Sequence, residues 1–365
     1  MKQRFVIFLW LLSSSLAALA QNATNVRVRQ EGETIVITYD LDKKANVRIW
    51  VATGRSNQYT ELKAVTGSVG KDISAGANKQ IIWQPLQEQT EFVAQNVRFK
   101  VETKPYYYFS VSATKKVAFS SGNLQYSQST NTWSFAEHQY DILGTENVTD
   151  GNESYDAISG YSKSGNGLSD KIDLFGWSGS TGAIRWGISP SQSYSDYSGV
   201  FVNWGTNIGD GSIWYTLTID EWSYLCYTRT NAAQLIGVAR INLNADGTEY
   251  VNGLIFLPDN WICLAGITFK SGFAEGWGVQ RYANYQTFSL YDWRQLEAVG
   301  AVFLPASGGR RGSDVYSIQD YGYYWSATSD DSNHAWEFYF DAFHIQGYGG
   351  RERFQARAVR LVQDL

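Results

Sequence analysis

The chain has 365 residues, 44% hydrophobic and 15% aromatic, with 14 Trp and 24 Tyr but only five Pro and one Met. That composition suits a folded chain long enough for two domains and argues against a disordered tail or a Met-rich binding groove. The formal net charge of -5, which becomes -7 if Lys2 and Arg4 are lost with a leader, argues against nucleic acid as a partner, because phosphate binding needs clustered Lys and Arg.

The chain opens with an export pattern. Lys2 and Arg4 give a positive start, Phe5 to Leu12 is an unbroken apolar run, and Ala18-Leu19-Ala20 is a small-x-small cleavage site. We expect a signal peptide over 1–20 and a mature chain beginning at Gln21. The apolar run is too short to span a bilayer of roughly 30 Å, and no cysteine follows the cleavage site to carry a lipid. Elsewhere no apolar stretch approaches the roughly 18 residues that a spanning helix needs. The expected address is therefore the periplasm, the outer-membrane surface or the exterior, with no transmembrane segment.

Residues 24–103 alternate with period two. Asn25-Val-Arg-Val-Arg29, Thr34-Ile-Val-Ile-Thr38, Asn46-Val-Arg-Ile-Trp-Val51, Gln80-Ile-Ile-Trp83 and Asn96-Val-Arg-Phe-Lys-Val101 read as strands. Glu31-Gly32, Thr53-Gly54-Arg55 and Ser74-Ala-Gly76 are turn signals between them. No helical period interrupts, so residues 21–104 are expected to form an all-β, immunoglobulin-like sandwich. Lys104-Pro105 is the natural boundary with a second domain, 105–365.

From Tyr106 onward Trp, Tyr, Gly, Ser and Asn dominate, and two helices stand out. The first starts at the capping box Thr218-Ile-Asp-Glu221, with Trp222, Leu225 and Cys226 as its inward stripe. The second starts at Ser289, with Asp292 three residues on, carries Trp293, Leu296 and Val299, and stops at Gly300. Gly253-Leu-Ile-Phe-Leu-Pro258 and Gly300-Ala-Val-Phe-Leu-Pro305 echo each other, which places both helices against one sheet. Tyr323-Tyr-Trp-Ser-Ala-Thr328, Ala335-Trp-Glu-Phe-Tyr-Phe340 and Gln355-Ala-Arg-Ala-Val-Arg-Leu-Val362 read as terminal strands. The expected core includes Trp222, Leu225, Phe256, Trp293, Leu296, Phe303 and Trp325. Cys226 and Cys263 are either a disulfide or two separate small apolar residues.

Candidate chemistry is sparse. His138, His334 and His344 form no HExxH pair or Cys/His cluster, so no metal is expected. His334 and His344 could approach across a hairpin, but solvated loop histidines fit better. Asn242-Leu-Asn244-Ala-Asp246-Gly247 mimics the start of a calcium loop, yet Gly253 stands where the twelfth-position acid belongs, so a hairpin turn is the better reading. For a glycan hydrolase the candidate carboxylates are Asp220/Glu221, in the helix cap, and Glu337 with Asp341, four apart along one strand. Arg357 and Arg360 fit structural pairing with loop carboxylates or carbonyls.

The region 329–353 combines aromatic rings with adaptable polar groups, the chemistry of a binding face. Alternation puts Trp336, Phe338 and Phe340 on one side of a strand and Glu337, Tyr339 and Asp341 on the other. The first set reads as core, leaving Tyr339, Asp341, His344, Tyr348 and Arg351 to line an exposed face. We expect no catalytic residue, no metal and no cofactor.

Several motifs occur in an order that resembles the C-type-lectin-like superfamily of secreted bacterial proteins. They are Thr218-x-x-Glu221-Trp222, Leu257-Pro-Asp-Asn-Trp261, Gly322-Tyr-Tyr-Trp-Ser-Ala-Thr328 and Val359-Arg-Leu-Val362. The likeness covers roughly 106–365 and extends to formylglycine-generating-enzyme-like domains and the variable proteins of diversity-generating retroelements. Residues 24–103 resemble the β-sandwich modules that precede such domains. The resemblance implies an α+β domain with two helices packed on antiparallel sheet, holding a ligand on loops and terminal strands. The chain lacks cysteine after Cys263, where formylglycine-generating enzymes have a reactive pair. It also lacks the Glu-Pro-Asn or Gln-Pro-Asp tripeptide of calcium-dependent lectins. What remains is an exported binding protein for a glycan or protein ligand. The alternatives are a glycan-active hydrolase and a structural subunit of a cell-surface assembly.

Overall fold

A computed structural model describes residues 5–9, 23–55, 58–88, 91–105, 107–144, 154–155, 171–182, 185–209, 213–274, 281–312 and 314–365, with the side chains of 5–9, 71–72, 104–105, 154–155 and 348 left aside. Lys2, Arg4 and Ala18-Leu-Ala20 of the expected leader fall outside these residues. The chain divides into two compact units, Met1–Tyr106 and Tyr107–Leu365.

The first unit is built from two sheets. One joins β2 (Ala23–Glu31), β3 (Thr34–Leu41) and β5 (Gly76–Trp83), with the short strand Val65–Gly67 at its edge. The other joins β1 (Phe5–Leu9), β6 (Phe92–Pro105) and β4 (Ala45–Ala52), with short strands beyond β4. Period-two alternation turns Ile35, Ile37, Tyr39, Val47, Ile49, Ile81 and Trp83 into one shared core. Tyr39 enters that core with its polar end satisfied, donating to the Ser68 carbonyl at 2.6 Å, and burial pushes its hydroxyl pKa up to about 12.

In the second unit a central sheet separates two hydrophobic cores. It contains β7 (Ile236–Asn242), β8 (Tyr250–Phe256) and β9 (Val302–Pro305), with Thr287–Ser289 paired along β7. The two echoing Leu-Pro segments pair with each other. Gly253 stands opposite Pro305, and Phe256 opposite Val302. Their side chains alternate between two cores: Val238, Leu254, Phe256, Val302 and Leu304 face one side, while Ala239, Ile241, Val251, Ile255 and Phe303 face the other. Burial on both faces explains why these segments read as unbroken apolar runs rather than alternating ones.

Helix α1 (Ile219–Ser223) sits in the first of these cores and α2 (Leu290–Ala298) in the second. A third helix, Arg281–Tyr285, lies in the first core against β7, while α1 packs on the terminal strands through Trp222 and Phe338, so the two expected helices do not rest on one sheet alone. Both caps form as expected: Thr218 and Glu221 satisfy each other's backbone amides, and the Ser289 side chain accepts from the Asp292 amide. All seven expected core residues are buried. The α1 stripe differs in one respect. Leu225 and Cys226 lie in a π-helical turn, Tyr224–Thr228, which ends at buried Arg229. The Arg229 amide bonds the Tyr224 carbonyl at 2.9 Å, and its guanidinium reaches the carbonyls of Leu225 and Leu257 and the carboxylate of Asp259.

The terminal sheet holds β10 (Gly322–Ser329), β11 (His334–Phe340) and β12 (Ile345–Glu352), antiparallel in that order, with Arg357–Ala358 on the far side of β10. The strand expected over 355–362 is split. Arg357–Ala358 joins this sheet, while Leu361–Asp364 pairs with Lys116–Phe119 and Tyr215–Thr216. The crossing point is Arg360, fully buried and bonded to the carbonyls of Ser120 and Phe303. Among the described residues no helix is long and apolar enough to cross a membrane.

Candidate functional site

Strand β11 separates its two faces as its alternation requires. Phe338 and Phe340 enter the core, where Phe338 lies flat on Trp222 with ring centroids 4.5 Å apart. Glu337 and Tyr339 point the other way. Tyr323 of β10 stands opposite Tyr339, which in turn stands opposite Gln346 of β12. The outer face thus begins as Tyr323, Tyr339 and Gln346 side by side.

Loops widen it. Tyr321 stacks on Tyr323 with centroids 5.5 Å apart and planes only 2° from parallel. Tyr316 lies 6.2 Å from Tyr323 on another side, Tyr339 is also 6.2 Å from Tyr323, and His344 meets Tyr339 edge-on at 5.5 Å. The four tyrosines are half-buried and His344 is exposed, so each residue is held in part by the fold and keeps part of its surface open. Such rings offer large contact area with little rotamer entropy to lose. Tyr227, exposed beyond this strip, donates its hydroxyl to the Ile345 carbonyl at 2.7 Å.

Each expected contact residue has a distinct place. The Tyr339 hydroxyl lies 3.0 Å from His344 Nε2 and 3.2 Å from Gln346 Oε1. Asp341 does not line the face. It is 3% exposed and caps the hairpin turn, accepting from the amides of Phe343 and His344. It also pairs with His344 Nδ1 at 2.9 Å. His344 thus bridges the two, with Nδ1 toward the Asp341 carboxylate and Nε2 toward the Tyr339 hydroxyl. Arg351 is half-buried, with Nε donating to Glu337 Oε1 at 2.8 Å. Tyr348 has its backbone opposite Glu337, and its side chain lies outside the described residues.

The floor of the face is ionic. Glu337 has no exposure, and Arg357, also buried, donates to its Oε2. The Arg357 guanidinium then spreads beneath the Tyr323 ring, 4.5 Å from the centroid, and donates to the Tyr316 hydroxyl at 2.6 Å. Burial pushes the Tyr323 hydroxyl pKa well up, although Arg357 opposes the rise. Tyr339 is raised by burial first and by Asp341 second.

The loop bearing Tyr321 is held by a residue far away in sequence. Ser317 and Gln319 adopt left-handed φ values of 57° and 66°, strained for side chains other than glycine. Gln319 compensates by accepting from the Asn252 amide at 2.6 Å through its side chain and from Asn252 Nδ2 at 2.9 Å through its carbonyl. Asp320 follows, its carboxyl raised by burial and by Asp341, with Arg281 opposing at 3.7 Å. Tyr316, Tyr321, Tyr323 and Asp320 lay outside the segment that composition singled out. The Tyr321-x-Tyr323 spacing just ahead of a strand was the only hint of a shared face.

The other candidates resolve as structure. His334 and His344 bracket β11 at opposite ends, about 20 Å of strand apart, so they do not approach. All three histidines sit three residues from an aspartate partner: Asp141, Asp331 and Asp341. Asn242 to Gly247 opens the β7–β8 hairpin, where Asp246 and Asn244 accept from the amides of Thr248 and Glu249. Cys226 is buried and Cys263 exposed, both free thiols. Among the described residues no group of His, Cys, Asp and Glu could hold a metal ion. No protein-family model, curated protein or solved structure matches the chain.

Proposed function

We propose that the protein is exported and binds its ligand, a glycan or a protein, on the tyrosine-lined outer face of the terminal sheet. In this reading the first unit is an immunoglobulin-like sandwich and the second a C-type-lectin-like module. The carrying observation is the strip Tyr316, Tyr321, Tyr323, Tyr339 and His344, fixed from beneath by the Glu337–Arg357 pair. A preformed row of amphipathic rings suits binding because little ordering remains to be done when the ligand arrives. Two of the carboxylates named for a hydrolase are already committed, Glu337 to two arginines and Asp341 to a turn.

One observation favours the hydrolase as a second reading. Asp320 is a carboxyl with a raised pKa, within electrostatic reach of Asp341 and beside stacking aromatics. A glycan and protein array probed with residues 21–365 separates the readings. The binding proposal expects a ligand whose affinity falls at least about tenfold in a variant carrying Tyr321→Ala, Tyr339→Ala and His344→Ala. Equal binding by that variant sinks the face, and release of reducing sugar that Asp320→Asn abolishes replaces binding with hydrolysis.

A further inference from the structure

Strand β1 lies inside the expected leader, yet it fills a place in the first unit. It runs parallel to the first part of β6, with Phe5 opposite Phe92 and Leu9 opposite Val97. β6 is 14 residues long, and its pairing with β4 begins only at Arg98. Phe92–Val97 therefore has β1 as its ladder partner. The Gln95 carbonyl accepts from the Gly54 amide at 2.8 Å, so residue 95 turns its backbone groups away from β1. Ala94, its neighbour, turns them toward it.

Core lies directly under this edge. Phe92 packs edge-on against Trp83 at 5.0 Å, and Val97 is 1% exposed. Val93, between them, is 58% exposed. Removing β1 leaves a row of unpaired backbone groups above apolar side chains, a template for another strand. The processed chain cannot refill it from its own start. Only residues 21 and 22 precede β2, which is committed to the other sheet with Ala23 opposite Leu41.

We propose that, once the leader is gone, the Phe92–Val97 edge receives an extended apolar segment donated by a partner protein. The donated strand is about five residues long, rich in aromatic and β-branched side chains, free of proline and parallel to β6. Main-chain bonds supply its affinity and alternate side chains its selectivity. This rests on processing at Ala20 and is independent of the tyrosine face.

The test begins with N-terminal sequencing of the native protein, then titrates processed 21–365 with a lysine-flanked, fluorescent Phe-Val-Ile-Phe-Leu peptide. Saturable binding should slow amide exchange at 92–97 at least tenfold. The same peptide with Ile7→Pro should not bind, and Ala94→Pro in the protein should weaken binding at least tenfold. Circular dichroism shows whether Ala94→Pro still folds; if it does not, the proline peptide decides. A native protein retaining Met1 overturns the proposal because the edge stays filled. With processing established, absence of binding, equal binding of the proline peptide or protection elsewhere overturns it. Self-association of the processed chain with protection at 92–97 also overturns it, by making the occupant a second copy.

Discussion

Glu337 and Arg357 form an ion pair sealed from solvent, 2.5 Å apart, at the centre of the terminal sheet. Burial alone pulls the Arg357 pKa down, but Glu337 and Tyr316 outweigh it, so the guanidinium stays charged. Glu337→Gln removes the counter-charge and leaves that cation uncompensated. We expect a loss of about 3–5 kcal/mol of stability by urea denaturation. Arg351→Ala removes the more exposed of the two arginines while Arg357 still neutralises Glu337, and should cost less, about 1–2 kcal/mol. Equal losses in the two variants would refute this account.

Trp293 anchors α2 in the second core, against Phe303 at 5.5 Å. Trp293→Ala should cost about 3–5 kcal/mol, since removing this fully buried ring opens a cavity in the second core. On the same helix Tyr291 is 71% exposed, and Tyr291→Ala should stay within about 0.5 kcal/mol of the parent. Thermal melting of the pair checks both.

Asp320 sets a pH dependence. Burial raises its carboxyl above the usual 3.8, so the folded state holds the proton more tightly than the unfolded state does. Its stabilising contribution is therefore present below the unfolded value and lost as pH rises through the raised one. Asp320→Asn should flatten that fall in melting temperature just above the ordinary carboxylate range. An NMR titration placing Asp320 at or below 3.8 would exclude the effect.

The two thiols should separate cleanly. Cys263 is exposed, whereas Cys226 is buried and its thiol pKa is driven well up by that burial. A maleimide at neutral pH should label one cysteine in the native protein and the second only after denaturation. Mass spectrometry of the labelled peptides gives the answer, and rapid labelling of Cys226 in the folded state would contradict the packing around α1.

Local rules carried much of the architecture. Thr218 and Glu221 make a capping box wherever a helix starts there, because four amides need acceptors. The alternation of 335–340 likewise assigned Phe338 and Phe340 to one side and Glu337 and Tyr339 to the other, since a strand offers no third choice. The pairing of Gly253–Phe256 with Val302–Pro305 lay behind the echo of the two Leu-Pro segments.

Alternation says which residues share a face but not what covers that face, and there the sequence by itself stopped. Glu337 and Tyr339 share a side of β11, yet Arg357 seals the first and the second stays partly open. Asp341 follows the same period, but the chain turns there and the carboxylate is drawn into the turn's amides. Tyr321 joins the site because distant segments hold its loop, Gln319 tied to Asn252, 67 residues earlier, and the Tyr321 carbonyl to the Gly308 amide. Composition and period fixed the strands, helix caps and core candidates through short-range sterics and hydrogen bonding. Tertiary structure alone decided the tyrosine strip and its buried ionic floor, because both are made by contacts between segments far apart in the chain.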